Sequence, residues 1–417
     1  RSIWVTGVQT CALPISHMVR EGGDPLTFTV NPYLTEGTAM YVRVRRPRSF
    51  RYLETVTQFP TAGFTPVPNV LPGERQRDAE VGSYTIELTM PETMTGDVSF
   101  QAAASMELKS AVPVGPWVAF RLFYKLKIDS VKWADGTPAP VYREDDNATF
   151  WVRLPGVLEA GQVTPIRIWY HGNLTDRFGD FFFIESSTSW YPRPLEGRSL
   201  ATFDLTYHLP RQFMLASVGE RVDSSMNGRL VTTRWKTRGP IRNASFNIGA
   251  FKEFRPAPVA GALPVTVLWS EDAHRAFKAA GMQEKNMKER VGDDVTGALK
   301  FFRHVYGEPP TPTFYATEIP YGHGEAFPGL VHLSFITFVQ TSRQGHDEVF
   351  RAHEVAHQWW GIGVDYVSYR DRWLSEGLSE FSGLWYMQTK RNDNERYFSF
   401  LPIWRSEERR VGKECRS

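Results

Sequence analysis

The chain has 417 residues, 41% of them hydrophobic and 14% aromatic, and its 48 basic and 46 acidic side chains give a formal net charge of +2. That balance offers nothing to a nucleic acid or an anionic membrane, and the aromatic content argues for a folded rather than a disordered chain. No uninterrupted apolar run approaches a membrane span, and the length is ample for two domains with full cores.

Two terminal stretches stand apart. Val5–Ile15 (VTGVQTCALPI) and Arg405–Ser417 (RSEERRVGKECRS) read as translations of the adapter oligonucleotides used in short-read DNA sequencing, so residues 1–16 and 405–417 are set aside. The natural segment is then about 17–404, cut from a longer gene at both ends. Both cysteines, Cys11 and Cys415, fall in the ends set aside, which leaves no disulfide framework and no cysteine metal site. Without the six basic and three acidic residues there, 42 basic and 43 acidic side chains remain, a net charge of −1. The compartment, cytoplasmic or extracytoplasmic, and the oligomeric state stay open.

Residues 17–75 hold one strand-like run, Ala39–Val44, followed by Arg45-Arg46-Pro47-Arg48, either a phosphate-binding cluster or a solvated loop, the loop being the simpler reading. Thr61–Gly73 (TAGFTPVPNVLPG) reads as a linker. Over 76–256, short alternating runs recur at Tyr84–Leu88, Val98–Ala102, Trp117–Tyr124, Ala148–Leu154, Pro165–Tyr170, Thr202–His208 and Arg229–Trp235. With Asp135-Gly136 and Asn227-Gly228 as hairpin turns, they predict a curved or sandwich-like antiparallel β-domain without long helices. The aromatic cluster of Asp180–Pro194 reads as core between sheets. Arg255–Pro264 (RPAPVAGALP) is a second linker candidate.

Beyond it, over 257–404, the periodicity changes. Val265–Trp269, Thr313–Ile319 and Leu330–Phe335 read as strands, and Gln283–Val305 has helical spacing with Val291, Val295, Leu299 and Phe302 on one face. Next comes His353-Glu354-Val355-Ala356-His357, in a segment whose apolar positions are Val349, Phe350, Val355 and Ala356 and which Gly361 is placed to stop. Histidines four apart on a helix lie one above the other and can share one metal ion, with Glu354 beside the open side where a general base belongs. Glu376, eighteen intervening residues after His357, lies in a second amphipathic segment marked by Leu374, Leu378, Phe381 and Trp385 and can supply a third ligand.

Taken together, His353 through Phe381 (HEVAHQWWGIGVDYVSYRDRWLSEGLSEF) resembles the catalytic core of gluzincin metallopeptidases of the aminopeptidase N type. The resemblance implies an α+β multidomain chain, with an antiparallel β-rich amino-terminal domain followed by an incomplete thermolysin-like α/β catalytic domain. The segments Trp235–Phe251 and Asp180–Pro194 are similar to parts of that family's β-domain. The resemblance also implies one Zn2+ per chain held by His353, His357 and Glu376, with Glu354 as base and a peptide as substrate. Tyr321–Leu330 (YGHGEAFPGL) stands where the family carries Gly-Ala-Met-Glu-Asn. There Glu325 matches the glutamate that pairs with the substrate's free α-ammonium, and Gly322 and Gly324 fall in the strand edge that holds its backbone. His323, Gly324 and Ala326 depart from the family pattern, and a glycine-rich turn with an exposed acid is the competing reading of Glu325. Glu380, one turn beyond Glu376, is either an acceptor for a ligand histidine's second N–H or a solvated helix residue. His332 and His346 read as structural or surface residues.

The function expected is removal of amino-terminal residues from peptides. A thermolysin-like endopeptidase and a non-catalytic peptide-binding descendant are the alternatives. In the family a tyrosine well downstream of the glutamate ligand stabilises the oxyanion, and Tyr386 is too near Glu376 to be its counterpart. The chain is therefore expected to bind zinc weakly and to turn over little, since losing one oxyanion donor costs about a hundred- to a thousandfold. An extended form of the gene product should exceed this chain in kcat by that order on one peptide substrate; equal turnover contradicts the expectation.

Overall fold

A computed structural model describes residues 79–92, 99–145, 147–173, 189–194, 200–340, 345–366 and 371–390, and gives the strands within 4–59 and 176–183 as backbone. The linker at Thr61–Gly73, the Arg45–Arg48 cluster, residues 8–14 and the Arg405–Ser417 stretch lie outside the described residues. Contacts divide the chain into two compact units, one of 1–175, 184–210 and 221–242, the other of 176–183, 211–220 and 243–417.

The first unit is β throughout its described residues. A seven-stranded sheet runs Glu220–Asn227, Leu230–Lys236, Thr202–Pro210, Glu80–Thr89, Ser99–Lys109, Val163–Asn173, Lys127–Trp133, and a four-stranded sheet joins Val141–Arg143, Thr149–Arg153, Trp117–Arg121 and Arg193–Pro194. Alternation decides which side is buried: Val81, Ile86, Leu88, Met106, Leu108, Ile166 and Ile168 point inward while Glu87, Glu107 and Arg167 point out. Gly136 and Gly228 take positive φ in the turns, as the Asp-Gly and Asn-Gly signals require. Trp190 and Tyr191 are fully buried, with Tyr191 in ring contact with Tyr84 and Phe203, so that part of the aromatic cluster is core.

The second unit is mixed α/β. Its five-stranded sheet is built from β1 (Lys252–Phe254), β2 (Val265–Trp269), β3 (Phe314–Ile319), β4 (Glu325–Phe327) and β5 (Leu330–Ser334), in the spatial order β1-β2-β3-β5-β4. The pairs β2–β3 and β3–β5 are parallel, and β4 returns antiparallel along the edge. Where the sequence groups residues up to 256 with the β-domain, Asn243–Phe254 belongs to this unit, because β1 pairs with β2.

Among its helices are α1 (Met287–Tyr306), between β2 and β3, and α2 (His346–Ala356) and α3 (Arg372–Arg391), both after β5. The α1 stripe Val291, Val295, Leu299 and Phe302 packs on Val267, Ala316, Val331 and Leu333 of the sheet and on Ala352 and Val355 of α2. Helix α1 starts four residues later than its periodicity predicts. Asn286 sits in the left-handed conformation, and Gln283 spends its amide on His274 and the Phe338 carbonyl instead.

The apolar periodicity of α3 is a sharper departure. Leu374, Leu378 and Phe381 are exposed, while Ser375, Ser379, Ser382, Leu384 and Met387 are buried. This helix packs through its stripe of small residues, and at Gly383 a Cβ would stand 2.9 Å from the Val349 carbonyl oxygen and 3.2 Å from the His353 nitrogen. Any larger residue there would push α3 off α2.

A buried ion cluster ties the three helices. Asp294 of α1 accepts from Arg351 Nη2 of α2 at 2.8 Å and from Lys390 Nζ of α3 at 2.8 Å. Burial alone would raise the Asp294 pKa, but Arg351 and Lys390 outweigh it and hold the carboxyl below its ordinary range. Asp294→Ala should therefore lower stability by roughly 3–5 kcal/mol at neutral pH, leaving Arg351 buried without its anion. A depressed carboxyl pKa contributes stability above the unfolded value and loses it as pH falls through the folded value. The gap between wild-type and variant urea midpoints should thus persist down to about pH 4 and close below it. A gap already closed at about pH 5 contradicts the assignment.

Candidate metal site

Helix α2 begins after Gly345 in the left-handed conformation, with Asp347 and Glu348 in its first turn, where acidic groups complement the helix dipole. Val349, Ala352, Val355 and Ala356 face inward. The helical turn carries on through His357, which keeps α-helical dihedrals and donates its N–H to the His353 carbonyl at 3.3 Å. The two imidazoles therefore stack one turn apart, ring centroids 4.7 Å from each other at 85°. Gly361, at φ +99°, then turns the chain away.

The outer ring nitrogens are both committed. His353 Nδ1 donates to Glu380 Oε2 at 3.0 Å. His357 Nδ1 donates to the Trp360 carbonyl at 3.0 Å, with Ser379 Oγ at 3.0 Å and Ser375 Oγ, itself donating to that carbonyl, at 3.3 Å. The Nε2 lone pairs are left facing each other at 3.0 Å. Glu376 Oε2 completes the triangle, 3.7 Å from His353 Nε2 and 3.5 Å from His357 Nε2. Two lone pairs and a carboxylate at such distances repel unless a cation lies among them. A tetrahedral zinc ion with bonds of about 2.0–2.2 Å separates its ligand atoms by about 3.3–3.6 Å, so the donor set fits the ion.

The electrostatics point the same way. Burial alone would lower the His353 pKa, but the neighbouring carboxylates of Glu376, Glu380 and Glu354 push it up to about 10. His353 and His357, with Nε2 atoms 3.7 and 3.5 Å from its Oε2, hold the half-exposed Glu376 carboxyl well below the usual carboxylate range. Glu354 is buried between α2 and the β3–β4 connection. Burial raises its pKa, the two histidines lower it, Glu376 and Glu325 raise it again, and the net direction is upward.

The sequence-predicted residues fall as follows. His353, His357 and Glu376 converge, Glu380 lies directly behind His353, and Glu354 and Glu325 are near enough to feel each other's charge. Gly324 carries its main chain against Glu354: a Cβ there would fall 2.8 Å from Glu354 Cγ. Gly322 is exposed, and a Cβ there would meet nothing within 4 Å. Glu325 pairs in register with His332 across β4–β5, its Oε2 3.5 Å from the fully buried His332 Nδ1. Ser375 and Ser379 carry no mark in the sequence, although Ser379, three after Glu376, shares its helix face and Ser375 lies one turn before Ser379.

The same architecture occurs in solved structures. The chain aligns with the M1 zinc metallopeptidase from Deinococcus radiodurans at TM-score 0.58 and 17% identity, over 76% of this chain and 72% of that one. A mutant of that enzyme bound to a Tyr-Ser-Ala substrate aligns at TM-score 0.59 and 15% identity, over 75% and 71%. A two-domain M1 zinc metallopeptidase mutant bound to L-tryptophan aligns at TM-score 0.59 and 16% identity, over 81% and 77%. The fold is that of the M1 zinc metallopeptidases. No protein-family model and no curated protein matches the chain.

Partners behind ligand histidines typically change metal affinity ten- to hundredfold. Glu380→Gln should accordingly weaken zinc binding by about that factor in competition with a chromophoric chelator. An unchanged affinity would make Glu380 a solvated helix residue after all.

Proposed function

We propose that the chain is a zinc-dependent peptidase that removes residues from the amino terminus of peptides. The observation that carries this is the convergence of His353, His357 and Glu376 beside a buried carboxylate of raised pKa. One zinc ion per chain would be held by those three side chains, and when bound it supplies Lewis-acid polarisation of the scissile carbonyl and an acidified water.

The chain's own residues do the rest. Glu354, with its pKa moved towards neutrality, takes the proton of the attacking water and delivers it to the departing amine nitrogen. Strand β4 is the sheet edge among the described residues, so its outer side can take an extended peptide as an added strand. Glu325 sits at the start of that strand with its carboxylate mostly enclosed, 13% exposed, where a substrate α-ammonium would form a charge-assisted bond. Such a pairing favours chain ends and gives an exopeptidase. The M1 neighbour solved with a Tyr-Ser-Ala substrate is in keeping with a peptide as the ligand. No helix among the described residues is long and apolar enough to cross a membrane.

Glu354→Gln is expected to hold as much zinc as the unsubstituted chain, by metal analysis after equilibration with the same zinc concentration, and to lose hydrolysis by at least about a hundredfold. Wild type should cleave a tripeptide with a free amino terminus and spare its acetylated form, and Glu325→Gln should narrow that difference. Equal cleavage of both peptides by wild type would favour the endopeptidase reading. Zinc bound without any hydrolysis, even by an extended form, would favour a binding protein.

A further inference from the structure

Gln358 follows the second ligand histidine and is fully buried. Its side-chain amide makes two bonds, both to another element. Oε1 accepts the Gly329 N–H at 2.9 Å, and Nε2 donates to the Phe327 carbonyl at 2.9 Å. Phe327 is the last residue of β4, and Gly329, at φ +72°, turns the chain into β5. A single amide thus satisfies one acceptor and one donor of the hairpin turn from the end of the metal-binding helix.

The other end of β4 also meets α2, where the main chain of Gly324 lies against Glu354. A strand of three residues is therefore held to one helix at both ends, by Gln358 at its end and by the base at its beginning. The ladder to β5 fixes the hairpin within itself, and the Tyr315 N–H to Gly329 carbonyl bond joins it to β3. Neither bond reaches α2. The distance between the edge that carries Glu325 and the carboxylate of Glu354 is set across the hairpin–helix contact, and there Gln358 supplies the directional bonds.

We propose that Gln358 is a positioning residue: it fixes β4, and with it Glu325, against Glu354, so that a peptide laid along the edge meets the base in register. The inference rests on the reading of β4 as the peptide-binding edge. A primary amide suits the place because it offers an acceptor and a donor on one rigid plane, and an apolar side chain of similar size would take the acceptor from the buried Gly329 N–H and a donor from the Phe327 carbonyl.

The test uses the Glu354→Gln protein, so that peptide is bound and not consumed, with and without Gln358→Met. Three quantities are read: zinc per chain, amide exchange at Gly329, and affinity for a tripeptide with a free amino terminus and for its acetylated form. The added Gln358→Met change should leave zinc binding unchanged, speed Gly329 exchange, and weaken the free-amine peptide about tenfold, the order of one buried hydrogen-bond partner lost. Gln358→Glu, which keeps the acceptor for Gly329 but cannot donate to Phe327 when ionised, should keep Gly329 protected and still weaken the peptide. It decides the matter if the methionine variant loses zinc or fails to fold. Undiminished peptide affinity in a zinc-replete variant overturns the positioning role. A parent that binds free and acetylated peptides alike overturns the amine-anchor reading instead, and the positioning role then stands only if Gln358 variants weaken both peptides together.

Discussion

Three donor atoms on two helices can share one cation only if the helices nearly touch, and α2 and α3 do so at Gly383. With no side chain there, the α3 backbone comes against the Val349 carbonyl and the His353 nitrogen. One turn towards the amino terminus of α3, Ser379 and Glu380 meet the outer nitrogens of His357 and His353, and Glu376 meets the inner ones. Positions 375 and 379, like 376 and 380, are four apart, so a single helix brings to the candidate site both Glu376 and the groups that hold the two imidazoles.

This arrangement concentrates lone pairs and negative charge. Glu354, Glu376 and Glu380 surround two imidazoles whose Nε2 atoms face each other, and Glu325 adds its charge at Glu354. Burial would lower the His353 pKa, but the carboxylates around it push it up to about 10. The helices are kept together elsewhere by charges of the opposite balance, where one anion, Asp294, is shared by Arg351 and Lys390. Arg351 stands two residues before His353, so the anchor of α2 in the core and the site at its exposed side belong to the same two turns of helix. The fold's stability and the site's geometry are coupled through that segment.

Much of this was legible in the chain. The spacing of His353 and His357 and the stripe of α1 follow from helical periodicity, Glu376 from the family resemblance, and strand positions such as Val265–Trp269 from their β-type residues. What was not legible has a common cause. The apolar period of α3 marks Leu374, Leu378 and Phe381 as its inner face, yet the serines and Gly383 are inside. Hydrophobic patterning finds faces that bury oil, and α3 packs on the face that carries its polar contacts to the site. Gln358 and Asp294 escaped for a related reason: a buried polar residue is explained only by its partners, and those partners, Phe327 and Gly329 for one, Arg351 and Lys390 for the other, are distant in sequence or unremarkable in type. Gly324 carried a weak signal, as a glycine in a loop, but the carboxylate it accommodates appears only in three dimensions.

The most direct measurement is the anomalous scattering of crystals of the chain grown with zinc, recorded on both sides of the zinc absorption edge. The account predicts one strong peak per chain, about 2.0–2.2 Å from His353 Nε2, His357 Nε2 and a Glu376 oxygen, and absent below the edge. A peak that engages the histidines but leaves Glu376 out of bonding reach, or no peak between α2 and α3, would contradict it.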